Sequence, residues 1–322
     1  GDQALLGGVG SICRRGCKLG KTQAPNQDNL GVVSVGAWRL LAVVDGHGGN
    51  GHELAAVVLR RLLQEAVAQL DLESGRGALG SPPAVSRADG GAGWRRVCAA
   101  AFDAAHRQVL EHHAGTALLS GCTATLVFAS ARRVLAASVG DSAAVLAVRR
   151  PSGTGFEATM LTHDHRPAQE RERSRIAAAG GRVEEDEEHP GHGRLISGRL
   201  QLAVSRGVGD LEARSSGFVH TPDLGPAGPQ GMDLAGDEDS FVLACSDGVW
   251  DNIPAAEAVA LVGGFGREGS QCAAKALAAE AQRRSAEAWG RGQADDTSVI
   301  VAWAPRPMQR GDYDERRQAW SG

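Results

Sequence analysis

Trp38-Arg39-Leu40-Leu41-Ala42-Val43-Val44-Asp45-Gly46-His47-Gly48-Gly49 is an apolar run that breaks abruptly into an acid, a histidine and glycines. The run reads as a buried strand that stops at Asp45-Gly46. Asp45 is then held at the edge of a rigid element. Gly46 lets its backbone carbonyl approach an ion closely, and His47 sits beside it in a turn. Three other stretches deliver an acid in a similar way: Asn26-Gln27-Asp28, Cys245-Ser246-Asp247-Gly248-Val249-Trp250-Asp251 and Ala294-Asp295-Asp296-Thr297-Ser298. Each acid alone reads as a cap or a turn residue. Gathered at one place, Asp28, Asp45, Asp247 and Asp296 are carboxylates that need cations among them. Oxygen-only ligation points to Mg²⁺ or Mn²⁺ and not to zinc, and two such ions suit phosphate chemistry.

Outward from that stretch, apolar runs over 30–35, 123–128, 134–139, 143–148, 156–161, 200–204, 241–245 and 297–303 read as strands. The runs 134–139 and 143–148 are separated only by Gly140-Asp141-Ser142, a hairpin-like turn. Helical spacing appears over 53–70, 94–112, 167–179 (with Pro167 in its first turn), 254–262 and 269–288. Strands come in consecutive runs with helices in pairs between them. This predicts an α+β fold with antiparallel sheets and helices packed outside. Residues 1–10 read as a flexible N-terminal segment, 73–93 as a low-complexity insertion or loop, 217–238 as loop, and 304–322 as a disordered tail. A single domain is expected over 11–303.

The chain of 322 residues is 42% hydrophobic, enough for a substantial core. A net charge of −4 lacks the basic footprint of a nucleic-acid binder. No apolar stretch reaches the ~18 residues of a membrane span, and no signal-peptide pattern appears at the start. Six scattered cysteines without a Cys-x-x-Cys pair suit a reduced, intracellular protein, cytoplasmic or nuclear. The chain begins with Gly, as expected for a domain cut from something longer or for a processed product.

Together the motifs resemble the PPM family, type 2C, of metal-dependent Ser/Thr protein phosphatases. The resemblance rests on Pro-Asn-Gln-Asp (25–28), Val-Val-Asp-Gly-His-Gly-Gly (43–49), Gly-Cys-Thr-Ala-Thr (121–125) and Ser-Val-Gly-Asp-Ser (138–142). It continues through Leu-Thr-His-Asp-His-Arg-Pro (161–167), Ala-Gly-Gly-Arg-Val (179–183), Leu-Ala-Val-Ser-Arg-Gly-Val-Gly-Asp (202–210), Ser-Asp-Gly-Val-Trp-Asp (246–251) and Asp-Asp-Thr-Ser-Val-Ile-Val (295–301). The resemblance implies a central β-sandwich of two antiparallel sheets flanked by helices, a four-layer αββα arrangement, with a two-metal cleft at one end. It implies that Asp45 bridges two ions, that the Gly46 carbonyl reaches one, that Asp247 and Asp296 hold one, and that Asp28 contributes from outside. Asp141 and Asp251 match acids linked to a weaker third metal, and His47 is the candidate general acid. The implied activity is hydrolysis of phosphoserine or phosphothreonine in proteins by a metal-activated water, without a covalent phosphoenzyme. The expected partners are phosphoprotein substrates, and the expected state is a monomer.

Two departures stand out. Gln27 occupies a position where many relatives carry Glu. Gln23 stands where many carry the Arg that grips the substrate phosphate, which leaves Lys21 or Lys18 as substitutes and Arg14 and Arg15 as further candidates. The departures keep open a catalytically weak or inactive pseudophosphatase acting as a regulatory binding module, and the motifs also admit a hydrolase of small phosphoesters. The His163/His165 and His189/His192 spacings could bind zinc, but the first pair falls in a motif of the resembled family without a metal role and the second in a Gly-rich loop. Arg206 and Asp210 read as a structural ion pair or turn.

Overall fold

The computed structural model describes residues 7–17, 24–73, 91–185, 193–235, 239–289 and 293–305. Its first six strands are β1 (Val9–Arg14), β2 (Asp28–Val35), β3 (Trp38–His47), β4 (Gly121–Cys122), β5 (Ala124–Ala129) and β6 (Arg133–Val139). Then come β7 (Ala143–Arg149), β8 (Phe156–Met160), β9 (Arg182–Glu185), β10 (Gly193–Ser197), β11 (Leu200–Leu202) and β12 (Val208–Gly209). The last are β13 (Met232–Asp233), β14 (Ser240–Cys245) and β15 (Thr297–Trp303). The helices are α1 (Gly51–Glu73), α2 (Ala92–His112), α3 (Glu170–Ala178), α4 (Asp247–Trp250), α5 (Ala255–Gly263) and α6 (Ser270–Trp289).

One sheet runs β1-β15-β14-β7-β8; a second runs β12-β4-β3-β5-β6-β13, with β2 also paired to β3. Every strand pair within them is antiparallel. The strands read as unbroken apolar runs because both faces are covered. Along β3, Leu40, Ala42 and Val44 face α1 and α2, in a cluster with Leu54, Leu62, Trp94 and Phe102. Leu41 and Val43 face the other way, meeting Val242, Ala244 and Ile300 between the sheets. On the far side, Phe241, Leu243, Val299 and Trp303 pack under α5 and α6 with Leu277 and Ala281. The result is the expected four-layer sandwich.

The hairpin expected at Gly140-Asp141-Ser142 is not one. β6 lies in the second sheet and β7 in the first, so this turn carries the chain across the sandwich. Two buried strands have the same apolar pattern whether they pair side by side or face one another, so the sequence could not separate the cases. β1 begins at Val9, inside the segment expected to be loose, because its backbone pairs with β15. α3 starts at Glu170, after a turn in which Gln169 N–H donates to Arg166 O, so Pro167 precedes the helix. The expected loop over 217–238 contains the short β13, paired to β6. The insertion over 74–90 and the tail from residue 306 lie outside the described residues, as does His189/His192.

A small third sheet, β11-β10-β9, packs with α3 around Ile176, Leu195 and Phe218. Glu172, 1% exposed, anchors this unit. Its carboxylate accepts hydrogen bonds from Arg206 Nη2 (2.5 Å), Arg175 Nη2 (2.6 Å) and Ser205 Oγ (2.7 Å). Burial by itself would raise the Glu172 carboxyl, but these donors hold it well below the usual carboxylate range. A depressed acid stabilises the fold above its unfolded value and ceases to do so as pH falls through the folded one. Glu172→Gln is therefore expected to cost about 3 kcal/mol at neutral pH. Urea denaturation should show that deficit shrinking on acidification below the ordinary glutamate range.

Candidate metal centre

The parity that sends Leu41 and Val43 between the sheets also sends Asp45 there, at the end of the sandwich. Asp28 lies opposite it in the β2–β3 register. Ser246, from the end of β14, donates its hydroxyl to Asp28 Oδ2 at 2.7 Å and accepts from Ser298 N–H at 3.0 Å. Although Ser246 is the N-cap of α4, its side chain makes no capping bond. Its hydroxyl is used to tie the two sheets together at the acids. Asp247 begins α4. Gly46 N–H donates to Gln27 O at 3.1 Å, and a Cβ on Gly46 would lie 2.3 Å from Gly51 O, so no side chain fits there.

Burial pushes Asp28 up to about 6. Burial raises Asp45 well above the ordinary range, reinforced by the charges of Asp28, Asp247, Asp295 and Asp141. Asp247 is raised for the same reason, by burial and then by Asp141, Asp295, Asp251 and Asp28. Asp28 Oδ1 and Asp247 Oδ1 are buried without a hydrogen-bond partner. Among the described residues, no three His, Cys, Asp or Glu side chains are drawn into a closed ion cage. The structure supplies instead a set of buried acids within electrostatic range, with two oxygens unsatisfied. That all-oxygen set, which repels itself without cations, fits hard divalent ions such as Mg²⁺ or Mn²⁺.

The adjacent acids Asp295 and Asp296 have different surroundings. Asp296 accepts Gly16 N–H on Oδ1 (2.7 Å) and Gln27 N–H on Oδ2 (2.8 Å). It clamps the segment after β1 to the segment before β2. Asp295 is the neighbour whose charge acts on both Asp45 and Asp247. The charge of Asp296, the acid that the sequence reading assigns to the site, acts on Asp28. Gln27 donates its side-chain amide to Gly48 O at 2.8 Å, so this amide ties down the loop beyond His47.

His47 Nε2 lies 2.6 Å from Asp210 Oδ2. The Asp210 side chain is fully buried, while that of His47 is 31% exposed. Burial disfavours the imidazolium, but the Asp210 carboxylate outweighs it and raises His47 above its ordinary value. Asp210 has φ 45°, a left-handed conformation that Asp tolerates better than most residues. A Cβ on Gly121 would stand 2.1 Å from Asp210 Oδ2 and 3.0 Å from His47 Nε2, so the pair requires glycine there. The pairing spans 163 positions in sequence, and spacing carries no trace of it. Arg206 pairs with Glu172, not with Asp210.

Asp141 is buried in the β6–β7 crossover, and Asp251 follows α4. Arg166 Nη2 stands 2.5 Å from Asp251 Oδ1 and 3.3 Å from Asp141 Oδ2. Burial pushes Asp141 up to about 6 against the pull of Arg166. His163 turns to Asp223 (3.2 Å) and His165 to Gly140 O (3.0 Å), so they do not converge. Lys18, Lys21 and Gln23 lie outside the described residues. A cleft of about 250 Å³ is lined by Arg15, Gly16, Gln27, Gly48, Gly49 and Asp296. The six cysteines are free, with Cys98, Cys122 and Cys245 buried. Among the described residues, no helix is long and apolar enough to cross a membrane.

Residues 11–288 match the family model described as Protein phosphatase 2C, and the chain belongs to that family. It is 33% identical over 211 residues to "Probable protein phosphatase 2C 12" of Oryza sativa subsp. japonica, covering 64% of this chain and 52% of that protein. It is 36% identical over 227 residues to "Probable protein phosphatase 1N" of Homo sapiens, covering 70% of this chain and 45% of that protein. The chain thus spans about half the length of these curated relatives. The same fold occurs in the serine-threonine phosphatase 2C from Toxoplasma gondii, with TM-score 0.71, 20% identity and coverage of 92% and 94% of the two chains.

The His47–Asp210 contact carries a direct expectation. In Asp210→Asn the imidazolium loses its carboxylate, so the His47 ring should titrate at lower pH than in the wild type. Histidine ring resonances followed by NMR across a pH series check this, and an unchanged midpoint would break the assignment.

Proposed function

We propose that this chain hydrolyses phosphoserine and phosphothreonine in proteins, in a reaction that needs two divalent ions, Mg²⁺ or Mn²⁺. The observation that carries the reading is the mutual electrostatic crowding of Asp28, Asp45 and Asp247, with one unsatisfied buried oxygen each on Asp28 and Asp247, and with the more exposed Asp295 acting on Asp45 and Asp247. Family membership supports the reaction class. In this reading Asp45, the Gly46 carbonyl, Asp247 and Asp295 would hold the ions, Asp295 taking the role that the family resemblance gives to Asp296. Ions bound there neutralise charge on the phosphoryl oxygens and raise the acidity of the attacking water.

The chain's own groups do the rest. His47 carries the proton for the departing serine or threonine oxygen. With Nε2 turned to Asp210, the proton leaves from Nδ1, and the carboxylate keeps the ring charged until the leaving oxygen needs it. Arg15, at the cleft, offers a planar guanidinium to the substrate phosphate in place of the arginine absent at position 23. Asp296 and Gln27 hold the cleft wall through backbone contacts. Lys18 and Lys21 are further candidates to approach the phosphate, and the working form is a monomer acting on phosphoproteins.

Phosphate release from a phosphothreonine peptide with Mn²⁺ tests the reading. Wild type should turn over, chelator should abolish turnover, and Asp45→Asn should lose at least ~100-fold in kcat. Equal inactivity of wild type and Asp45→Asn at saturating Mn²⁺ would sink it. In the same assay, Arg15→Ala should raise KM for the peptide with little change in kcat. The two neighbouring acids separate by a different measurement. Calorimetric titration with Mn²⁺ should show Asp295→Asn losing at least ~10-fold in affinity, whereas Asp296→Asn should mainly lower the melting temperature.

A further inference from the structure

The acids that the family resemblance links to a third ion, Asp141 and Asp251, already have a cation between them. Arg166 Nη2 reaches Asp251 Oδ1 at 2.5 Å and Asp141 Oδ2 at 3.3 Å. Asp141 is 5% exposed, and Arg166 is a cation in direct contact with its carboxylate. Asp164 and Asp247 also act on this region. Asp164 is raised by burial, against the pull of Arg166, and Arg166 interacts with Asp247.

The backbone beneath the guanidinium is fixed. His165 N–H donates to Gly140 O at 3.0 Å, next to Asp141, and Ser205 N–H donates to His165 O at 2.8 Å. On the other side, Gln169 N–H closes a turn onto Arg166 O at 3.0 Å. Arg166 therefore cannot drift away with its loop; only rotation of its side chain would free the two carboxylates. A guanidinium held in this way has lost little further freedom on pairing, and its fork suits two carboxylates. The pair of acids carries a formal −2, which Arg166 reduces to −1, and a divalent ion entering the site would have to displace a positive charge from a largely buried carboxylate. Removing one partner of such a pair is costly, because the other is left buried with its charge.

We propose that the Arg166 guanidinium is the built-in cation of the Asp141–Asp251 site, so that no third divalent ion binds there while Arg166 is present. The proposal rests on the two-ion reading only for the ions next door; what it adds is a count and the residue that sets it. In this chain the third position is filled by the protein itself and does not vary with metal concentration.

Counting bound Mn²⁺ by electron paramagnetic resonance of the free ion, on chains first stripped with chelator, tests it without reference to activity. Wild type should saturate at two ions. Arg166→Gln, which keeps the polar shape and removes the charge, should take up one more at Mn²⁺ concentrations that leave the wild type at two. Arg166→Lys, which keeps the charge, should stay at the wild-type count, and adding Asp141→Asn to Arg166→Gln should abolish the gain. No gain in Arg166→Gln, or a gain that survives Asp141→Asn, overturns the proposal. Should Arg166→Gln not fold, Arg166→Met takes its place with the same expected gain, and in either case a third wild-type ion that Asp141→Asn removes overturns the proposal. A wild-type count below two instead refutes the two-ion reading, while the difference between Arg166→Gln and wild type still judges Arg166.

Discussion

Like charges buried side by side are the constraint around which the molecule is organised. The β2–β3 register sets Asp28 opposite Asp45, and the other sheet brings Asp247 to the same end. An arrangement in which each carboxylate raises the next is unfavourable for folding alone. The surrounding structure holds it in place. Ser246 gives up its capping role to bond Asp28, the glycine at 46 permits close backbone passage, and the four layers fix both strand ends. Burial of that kind is a use of folding energy for which a divalent cation is the natural recipient.

The other polar contacts around the centre divide into two groups. Asp210 and Gly121 set the state and position of His47. Asp296 and Gln27 brace the cleft, turning acids and amides toward backbone partners. Farther out, Glu172 gathers Arg175, Ser205 and Arg206 and so secures the small third sheet to the segment that ends at Asp210. Positioning of the histidine and anchoring of that sheet thus share one stretch of chain, from Ser205 to Asp210.

Much of this was legible in the sequence because it is local. Apolar runs ending in Asp-Gly marked β3 and β14, helical spacing marked α1, α2, α5 and α6, and motif order indicated the sandwich. What escaped was relational. The turn at Gly140–Ser142 reads as a hairpin until one knows that β6 and β7 belong to different sheets. Asp295 and Asp296 differ by one position, and only their surroundings distinguish an acid acting on Asp45 from one bonded to two backbone amides. Asp210 lies far from His47 in sequence, and Arg166 far from Asp251. Such pairings follow from the tertiary path and leave no periodic signature.

The sheet order β1-β15-β14 has a consequence for how the protein comes into being. The last described strand inserts between the first strand and β14, and Asp295 and Asp296 lead directly into it. During synthesis on the ribosome, β1 and β14 therefore wait without their common neighbour until the final residues of the domain emerge. A nascent or prematurely terminated chain can carry Asp28, Asp45 and Asp247 and still lack both the strand that closes the sheet and the acid beside it. The centre is therefore complete only once β15 has been made and has taken its place between its two neighbours.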